Sequence, residues 1–397
     1  MKVSRYAAAI APSATLAAAA QARELKARGV AVLDFAVGEP DFDTPAHIRA
    51  AAKAAMDAGH TRYTAASGIP ELKKAIADDL RTRLGADYQP AEICVSNGAK
   101  HAIFTALCAT LEPGDEVVIP TPYWVSYRDL VEMTGAKAVL VPCGPETRFK
   151  LDAARLSAAL TPRTKMLMLN SPGNPTGMAY SRRELLALAE VVVARNLICL
   201  SDEIYERLLY VDEPFQCFAA LGPEVKARTL TVNGVSKTYA MTGWRIGWTA
   251  APAAIAKAMD TVQSQQTSNP CSVSQHAALA ALVGPQDGVE TMRREFARRR
   301  DFVCARLNHM SGLSVLPPDG AFYAFFDIRK TFGKTFGDVL VKDSASFCAA
   351  ALGQAHVNLV AGSAFGAEGF ARMSFAASMS QLETGLDRLG AWLATAK

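Results

Sequence analysis

The chain has no apolar run approaching the ~18–20 residues that a helix needs to cross a bilayer, so no membrane-spanning segment is expected. It has almost no charge imbalance either: 42 Lys+Arg stand against 38 Asp+Glu, a formal net charge of +4. That excess is too slight to point to nucleic acid or an anionic membrane surface as a partner. The densest basic run, Arg293 and Arg294 followed by Arg298, Arg299 and Arg300, is broken by Glu295 and flanked by Asp301, and reads as a solvated helix face. The eight cysteines (Cys94, Cys108, Cys143, Cys199, Cys217, Cys271, Cys304, Cys348) include no C-x-x-C and no close histidine pairing. Both a metal site and a disulfide framework are therefore unexpected, and a reducing compartment, the cytoplasm, fits best. The N-terminal stretch carries Lys2 and Arg5 ahead of an alanine-rich run, but Pro12, Ser13 and Thr15 interrupt it. It reads as a short arm leading into a helix, with Ser13 or Thr15 near the cap, rather than as a signal peptide. Beyond the alanine bias there is no repeat or low-complexity tract.

With 397 residues, half of them hydrophobic, the chain can build a large core, and its size predicts two or more domains. From about residue 70 to 285, short apolar runs alternate with helical patterns. Strands are predicted at Ile93–Ser96, Glu116–Pro120, Ala138–Pro142, Lys165–Asn170, Leu197–Ser201, Thr229–Asn233 and Arg245–Ala250. Helices are predicted at Glu71–Leu84, Lys100–Leu111, Tyr127–Thr134, Arg182–Arg195 and Ile255–Gln265. This alternation predicts an α/β fold with a mostly parallel sheet covered on both faces, and functional residues at the C-terminal strand ends. After about residue 290 long helices take over (Met292–Asn308, Ser344–Gln354, Gln381–Ala394), with a strand at Phe322–Asp327, as in a smaller α+β unit.

Four turn-rich segments follow predicted strands. Ser96-Asn97-Gly98-Ala99-Lys100 opens a helix whose first N–H groups can hold an anion. Asn170-Ser171-Pro172-Gly173-Asn174-Pro175-Thr176-Gly177 reads as a rigid turn, with room for a cis X-Pro bond. Ser201-Asp202-Glu203-Ile204-Tyr205 puts an acid at the end of a buried strand, which is costly unless it meets a cation. Ser236-Lys237, with Arg245 beyond, sets a lone lysine among glycines, aromatics and apolar residues, surroundings that lower an amine's pKa and make it nucleophilic. Gly98–Lys100, Ser236 and Arg245 can hold a small anion, Asp202 a positive ring nitrogen, and Lys237 an aldehyde. A phosphate, a protonatable ring and an aldehyde occur together in pyridoxal 5′-phosphate.

The sequence resembles the fold-type I pyridoxal-phosphate enzymes and, within them, the class I aminotransferases, closest to the bacterial aspartate aminotransferase subgroup. The likeness runs in order along nearly the whole chain: PSAT (12–15), GEPDFDTP (38–45), RYTAASGIPEL (62–72), PYWVSY (122–127), NSPGNPTG (170–177), SDEIYERLLY (201–210), NGVSKTYAMTGWRIG (233–247), GAFY (320–323), GSAFG (362–366) and ARMSFA (371–376). The resemblance implies that Lys237 forms the Schiff base with the cofactor and shuttles a proton, and that Asp202 keeps the pyridine nitrogen protonated. It also places Tyr205 and Asn174 on the ring's phenolic oxygen and Trp124 on the ring face. Ser236, Arg245 and the backbone of Gly98, Ala99 and Lys100 would grip the phosphate, and Tyr63 would reach the phosphate of a neighbouring subunit, making the site a property of a homodimer. Arg372 would take the substrate α-carboxylate as a bidentate pair, Gly38 would pass the substrate with its backbone, and Lys100 would reach a distal carboxylate.

The implied architecture has an N-terminal arm and part of the small domain in 1–44, a large cofactor domain in 45–289 with a seven-stranded sheet, and the rest of the small domain in 290–397. The resemblance, with Lys100 in place, implies aspartate with 2-oxoglutarate as the pair of substrates. Members that accept prephenate carry a lysine where this arm has Ala11, so prephenate is not expected and a weaker hold on aspartate is expected. Ser268–Cys271 and the Ser96–Lys100 turn also depart from commoner family wording. An aromatic or broad-specificity aminotransferase and a β-lyase remain as alternatives. The sensor half of a transcription regulator is the rival of another class, and the match beginning near residue 12 is expected to leave no room for its DNA-binding segment.

Overall fold

A computed structural model describes residues 1–4, 7, 8, 10 and 14–397. Seven short apolar segments form one sheet: β1 (Ile93–Ser96), β2 (Glu116–Thr121), β3 (Lys137–Pro142), β4 (Thr164–Asn170), β5 (Ile198–Asp202), β6 (Thr229–Gly234) and β7 (Gly247–Ala250). Their order across the sheet is β1-β7-β6-β5-β4-β2-β3. Every pairing is parallel except the two that β7 makes with β1 and β6. Alternate residues of one strand feed opposite cores: Met166 and Met168 of β4 join one cluster, Leu167 and Leu169 another. A strand buried on both faces has no polar side to show, so it reads as a continuous apolar run.

Helices cover both faces. The ones that matter for the site are α1 (Ala14–Ala27), α2 (Ala46–Asp57), α3 (Pro70–Leu84), α4 (Ala99–Thr110), α5 (Arg182–Ala194), α6 (Ala253–Gln266), α7 (Ser272–Val283) and α8 (Asp287–His309). On one side of the sheet α4 and α6 contribute Ala102, Ile103, Ala106 and Met259, while on the other α5 contributes Leu185, Leu188 and Val192. A capping box of Ser181 and Glu184 starts α5. Among the described residues no helix is long and apolar enough to cross a membrane, and all eight cysteines are free.

A second, antiparallel sheet is built from β8 (Ser314–Val315), β9 (Tyr323–Asp327), β10 (Val360–Ala361) and β11 (Phe370–Ser374), in the order β10-β11-β9-β8. The N-terminal segment joins it: Leu33 and Asp34 pair in parallel with Val357 and Asn358, and Ser374 N donates to Phe35 O. The aromatic core beneath this sheet, with Phe296, Phe322, Phe326 and Phe375, runs on to Ile204, Tyr205 and Leu208 just after β5. The end of β5 therefore lies where the two sheets meet.

Several expectations need correction. The last strand of the large sheet begins at Gly247 rather than Arg245, because Arg245 takes φ +56°, outside the extended region. The helix expected over Ser344–Gln354 ends at Ala350 and continues as a wider π-type turn over Ala351–Ala355. Helix α8 begins at Asp287, earlier than predicted. Its basic run is not uniformly solvated: Arg299 is 6% exposed, bonds Glu295 and Asp41, and lies against the rings of Phe42 and Phe296. Helices α2 and α7 were not foreseen: α7 is alanine-rich and gives little contrast between faces, whereas α2 does show a legible apolar face, with Ile48, Ala52 and Ala55 buried. Thr15 lies inside α1, while Ala11, Pro12 and Ser13 lie outside the described residues.

Candidate active site

One cavity of about 350 Å³ opens between the C-terminal ends of β5 and β6, the start of α4 and the face of β11. Its walls include Gly38, Ala99, Lys100, Trp124, Asn174, Asp202, Tyr205, Ser236, Lys237, Arg245 and Arg372. Residues spread over more than 300 positions of sequence thus share one space.

Asp202 closes β5 and is 4% exposed. Its Oδ2 accepts a 2.5 Å hydrogen bond from Tyr127 Oη, and its Oδ1 accepts one from Ile204 N at 3.2 Å. Burial pushes the carboxyl up to about 6, opposed by the Tyr127 bond, the Ile204 bond and the charge of Lys237. The strand end is itself pinned, because Asn170 Nδ2 donates to Asp202 O at 2.9 Å while Asn170 Oδ1 accepts from Asn174 N at 2.8 Å. The turn after β4 carries cis bonds at Ser171-Pro172 and Asn174-Pro175.

Lys237 follows β6 and sends its Nζ to Gly38 O at 2.6 Å. Desolvation pushes its ammonium down to about 8; the Glu39 carboxylate opposes this, and the cations Arg245 and Arg372 reinforce it. An amine that titrates there is neutral in roughly a fifth of molecules at about pH 7.4, far more than an ordinary lysine, and so a competent nucleophile.

The cationic end of the cavity gathers Arg245, Ser236 and the first turn of α4. Gly98 sits before α4 at φ +85°, where an added Cβ would lie 2.3 Å from Arg245 Nη2. Only a glycine allows this approach of guanidinium to helix start. Arg245 Nη1 donates to Thr242 O at 2.8 Å. Across the space, Lys100 Nζ lies 5.0 Å from the centre of the Trp124 ring, and Trp124 meets Tyr127 edge-on.

Arg372, at the centre of β11, is 1% exposed. Its Nη1 donates to Asn174 Oδ1 at 2.9 Å and its Nη2 to Ala36 O at 2.5 Å, and its Nε has no partner. The rings of Tyr323 and Phe365 flank its guanidinium at 4.5 and 5.0 Å. No carboxylate among the described residues pairs with it, and a buried guanidinium without a counter-ion is a site prepared for an anion. Tyr205 Oη and Tyr323 Oη share a 2.8 Å hydrogen bond beside it.

Every residue expected at the site lines this cavity except Gly98, which backs it against the Arg245 guanidinium, and Tyr63, which is 88% exposed and lies outside the lining of its own chain's pocket. Three neighbours were not singled out from the sequence for a role here. All three, Tyr127, Tyr323 and Thr242, stood only inside family motifs; Thr242 lines the cavity and donates to Glu39 Oε2 at 2.7 Å.

The architecture, a mostly parallel seven-stranded sheet covered on both faces with a lysine, an aspartate and an arginine at one inter-sheet cavity, is that of the fold-type I transferases. The chain superposes on the aspartate aminotransferase of Rhizobium meliloti with a TM-score of 0.97, at 45% identity and covering 100% of both chains. With the aspartate aminotransferase of Thermus thermophilus solved with maleate, the TM-score is 0.92 at 41% identity, covering 98% of this chain and 99% of that one. Among relatives, it is 49% identical to the aspartate/prephenate aminotransferase of Cereibacter sphaeroides over 96% of each sequence. It is 46% identical to the aspartate aminotransferase of Geobacillus stearothermophilus over 98% of each. The family model for "Aminotransferase class I and II" matches residues 30–389, and the chain belongs to that family of transferases.

Proposed function

We propose that the chain transfers the amino group of L-aspartate to 2-oxoglutarate, giving oxaloacetate and L-glutamate, with pyridoxal 5′-phosphate held in the cavity described above. The observation that carries this reading is the single cavity lined by Lys237, Asp202, Arg245 and Arg372. The donor set fits that cofactor. A phosphate needs cations and free N–H groups, and Arg245, Ser236 and the α4 start at Ala99 and Lys100 offer both, while the Gly98 N–H is already taken by Ser96 O at 2.7 Å. A pyridinium needs a buried acid, which Asp202 supplies, and the unpaired Nε of the buried Arg372 needs a carboxylate.

When bound, the cofactor supplies an aldehyde that condenses with amines and a ring that withdraws electrons from the substrate Cα. Lys237 Nζ would be the amine that holds the aldehyde, and would hold and move a proton at the substrate Cα. Asp202, ionised, would keep a ring nitrogen protonated. Tyr205 and Asn174 would donate toward the phenolic oxygen, and Trp124 would cover the ring. Arg372 orients the substrate through its α-carboxylate, a planar pairing that lysine cannot reproduce. Gly38 lets the substrate pass close to the backbone, and Lys100 meets the distal carboxylate of a dicarboxylic substrate. The maleate held by the Thermus relative, itself a four-carbon dicarboxylate, supports that preference.

Tyr63, exposed on its own chain, serves the phosphate of the neighbouring subunit in a cytoplasmic homodimer. Residues 45–289 act as the large domain, and 1–44 with 290–397 as the small one that closes over a dicarboxylate through Arg372. Borohydride reduction followed by mass spectrometry tests the core of this reading, with a pyridoxyl adduct expected on Lys237; an adduct elsewhere, or none, overturns it. A donor panel with 2-oxoglutarate tests the specificity. Aspartate should be preferred over aromatic donors and prephenate should be a poor acceptor, with glutamate as product; release of pyruvate and ammonia would favour a β-lyase.

A further inference from the structure

Tyr205 and Tyr323 stand with their hydroxyl oxygens 2.8 Å apart, and among the described residues neither hydroxyl makes another hydrogen bond. Each phenol has one proton, so the direction of this bond decides what Tyr205 presents to the cavity. If Tyr205 donates to Tyr323, it can only accept from whatever binds; if Tyr323 donates, the Tyr205 proton is free to point inward.

We infer that Tyr323 is a positioning residue that donates to Tyr205 and so turns the Tyr205 hydroxyl proton into the cavity. This rests on the proposed cofactor reading and adds to it the device that sets one hydroxyl's direction. Three features carry it. The Arg372 guanidinium lies 4.5 Å from the centre of the Tyr323 ring, and a cation over a phenol draws electron density and makes its hydroxyl the more acidic, hence the better donor. The charge of Arg372 makes both phenols more acidic, but on Tyr205 the charge of Asp202 works against it, and no carboxylate does so on Tyr323. Tyr323 is also held rigidly. It sits in β9 opposite Ser374 of β11 and is 1% exposed. Its Oη lies where a Cβ on Gly38 would be only 2.5 Å away, so a side chain at position 38 would displace the hydroxyl. The groups that bear on the pair are thus Arg372 and Asp202, with Lys237 reaching Gly38 O beside it.

The consequence is an indirect hold on the cofactor's phenolic oxygen. Tyr205 made a donor stabilises negative charge there, which lowers the pH at which the lysine-bound cofactor loses its proton. The test uses the holoenzyme and the variants Tyr323→Phe, Tyr205→Phe and the double substitution, each titrated through its visible absorption band. Tyr323→Phe keeps the ring, its contact with Arg372 and the packing, and removes only the hydroxyl. The expected midpoint moves upward by about half a pH unit, in the same direction as Tyr205→Phe and by less, as fits the loss of one neutral hydrogen bond. The double variant should titrate like Tyr205→Phe alone, the non-additivity of two residues acting through one group. An unchanged midpoint in Tyr323→Phe, or fully additive shifts, overturns the inference. Borohydride trapping on Lys237 in the same preparations separates the two layers: absence of an adduct defeats the cofactor reading, whereas an adduct with an unmoved midpoint defeats only the role of Tyr323.

Discussion

Replacing Tyr127 by phenylalanine removes one oxygen and tests whether a buried acid is kept ionised by a phenol. Tyr127 is 2% exposed and donates to Asp202 Oδ2 at 2.5 Å, and the other bond to this carboxylate, from Ile204 N, is longer at 3.2 Å. Burial already pushes Asp202 up to about 6, and the phenol is the strongest influence holding it there. A hydrogen bond to a charged group contributes about 1.5–3 kcal/mol, which corresponds to roughly one to two pKa units. Without the hydroxyl the carboxyl of the cofactor-free protein should titrate between about 7 and 8, so at neutral pH most of it would be protonated. A neutral acid cannot pair with a pyridinium. The assay is the dissociation constant of pyridoxal 5′-phosphate for the apoprotein, measured by tryptophan fluorescence at a series of pH values. The wild-type affinity should fall on acidification through about pH 6, and that of the variant roughly one to two units higher, with the two curves converging in mildly alkaline solution. The retained ring still meets Trp124 edge-on, so a packing defect would weaken binding at every pH. Coincident acid midpoints for the two proteins would refute the argument.

Further outcomes follow from the same geometry. Arg372→Lys loses the fork that spans a carboxylate from a 1% exposed position, and kcat/KM for aspartate should fall about a hundredfold or more in steady-state assays. Lys100→Ala should raise KM for aspartate by about tenfold while leaving a monocarboxylate donor nearly unaffected, because the charge meets only the distal group. Glu203, beside Asp202, is 1% exposed, with one carboxylate oxygen unpartnered, and burial pushes it up to about 7. A carboxyl raised above its unfolded value of 4.5 favours folding at low pH, and that contribution is lost as pH rises through about 7. Glu203→Gln should therefore flatten the decline of the apoprotein's urea midpoint between about pH 4.5 and 7, and an unchanged slope would count against the burial argument.

The large sheet was legible because strands buried on both faces leave apolar runs bounded by turn residues, and all seven appear within a residue or two of their expected limits. What the sequence did not reveal is that β7 runs against its neighbours. A strand's direction depends on how the preceding loop crosses the sheet, and here Val235–Ile246 returns without a long helix. The alanine-rich α7 escaped for a different reason. Alanine favours helix without marking a face, and α7 packs on both α2 and α3 beneath β1 and β7; α2 does bury one face, with Ile48, Ala52 and Ala55.

The site divides along a similar line. Lys237, Asp202 and Arg245 stood out from the residues alone, since each breaks a local rule, as cations in apolar company and an acid ending a buried strand. Asn174 stood only in a turn between prolines and took its role from the resemblance. Arg372 breaks none that can be read locally, for it sits in an ordinary-looking strand, and only the ordered resemblance singled it out. Tyr127 and Tyr323 are harder still. A tyrosine in an apolar stretch reads as core, and both are indeed buried. What sets them apart is the partner that each hydroxyl meets, and those partners lie 75 and 118 residues away along the chain. Buried polar atoms must be satisfied, so a phenol at the end of a core strand or helix always implies a partner, although the sequence does not say which one. Here both partners belong to the segment Asp202–Tyr205 at the end of β5. The segment that supplies the acid and the phenol to the cavity is thus held by two other phenols from behind, one set by the large sheet and one by the small. A shift of one sheet against the other would therefore be felt at the acid and the phenol unequally, and this ties the proposed closure of the domains to the two groups that face the ring.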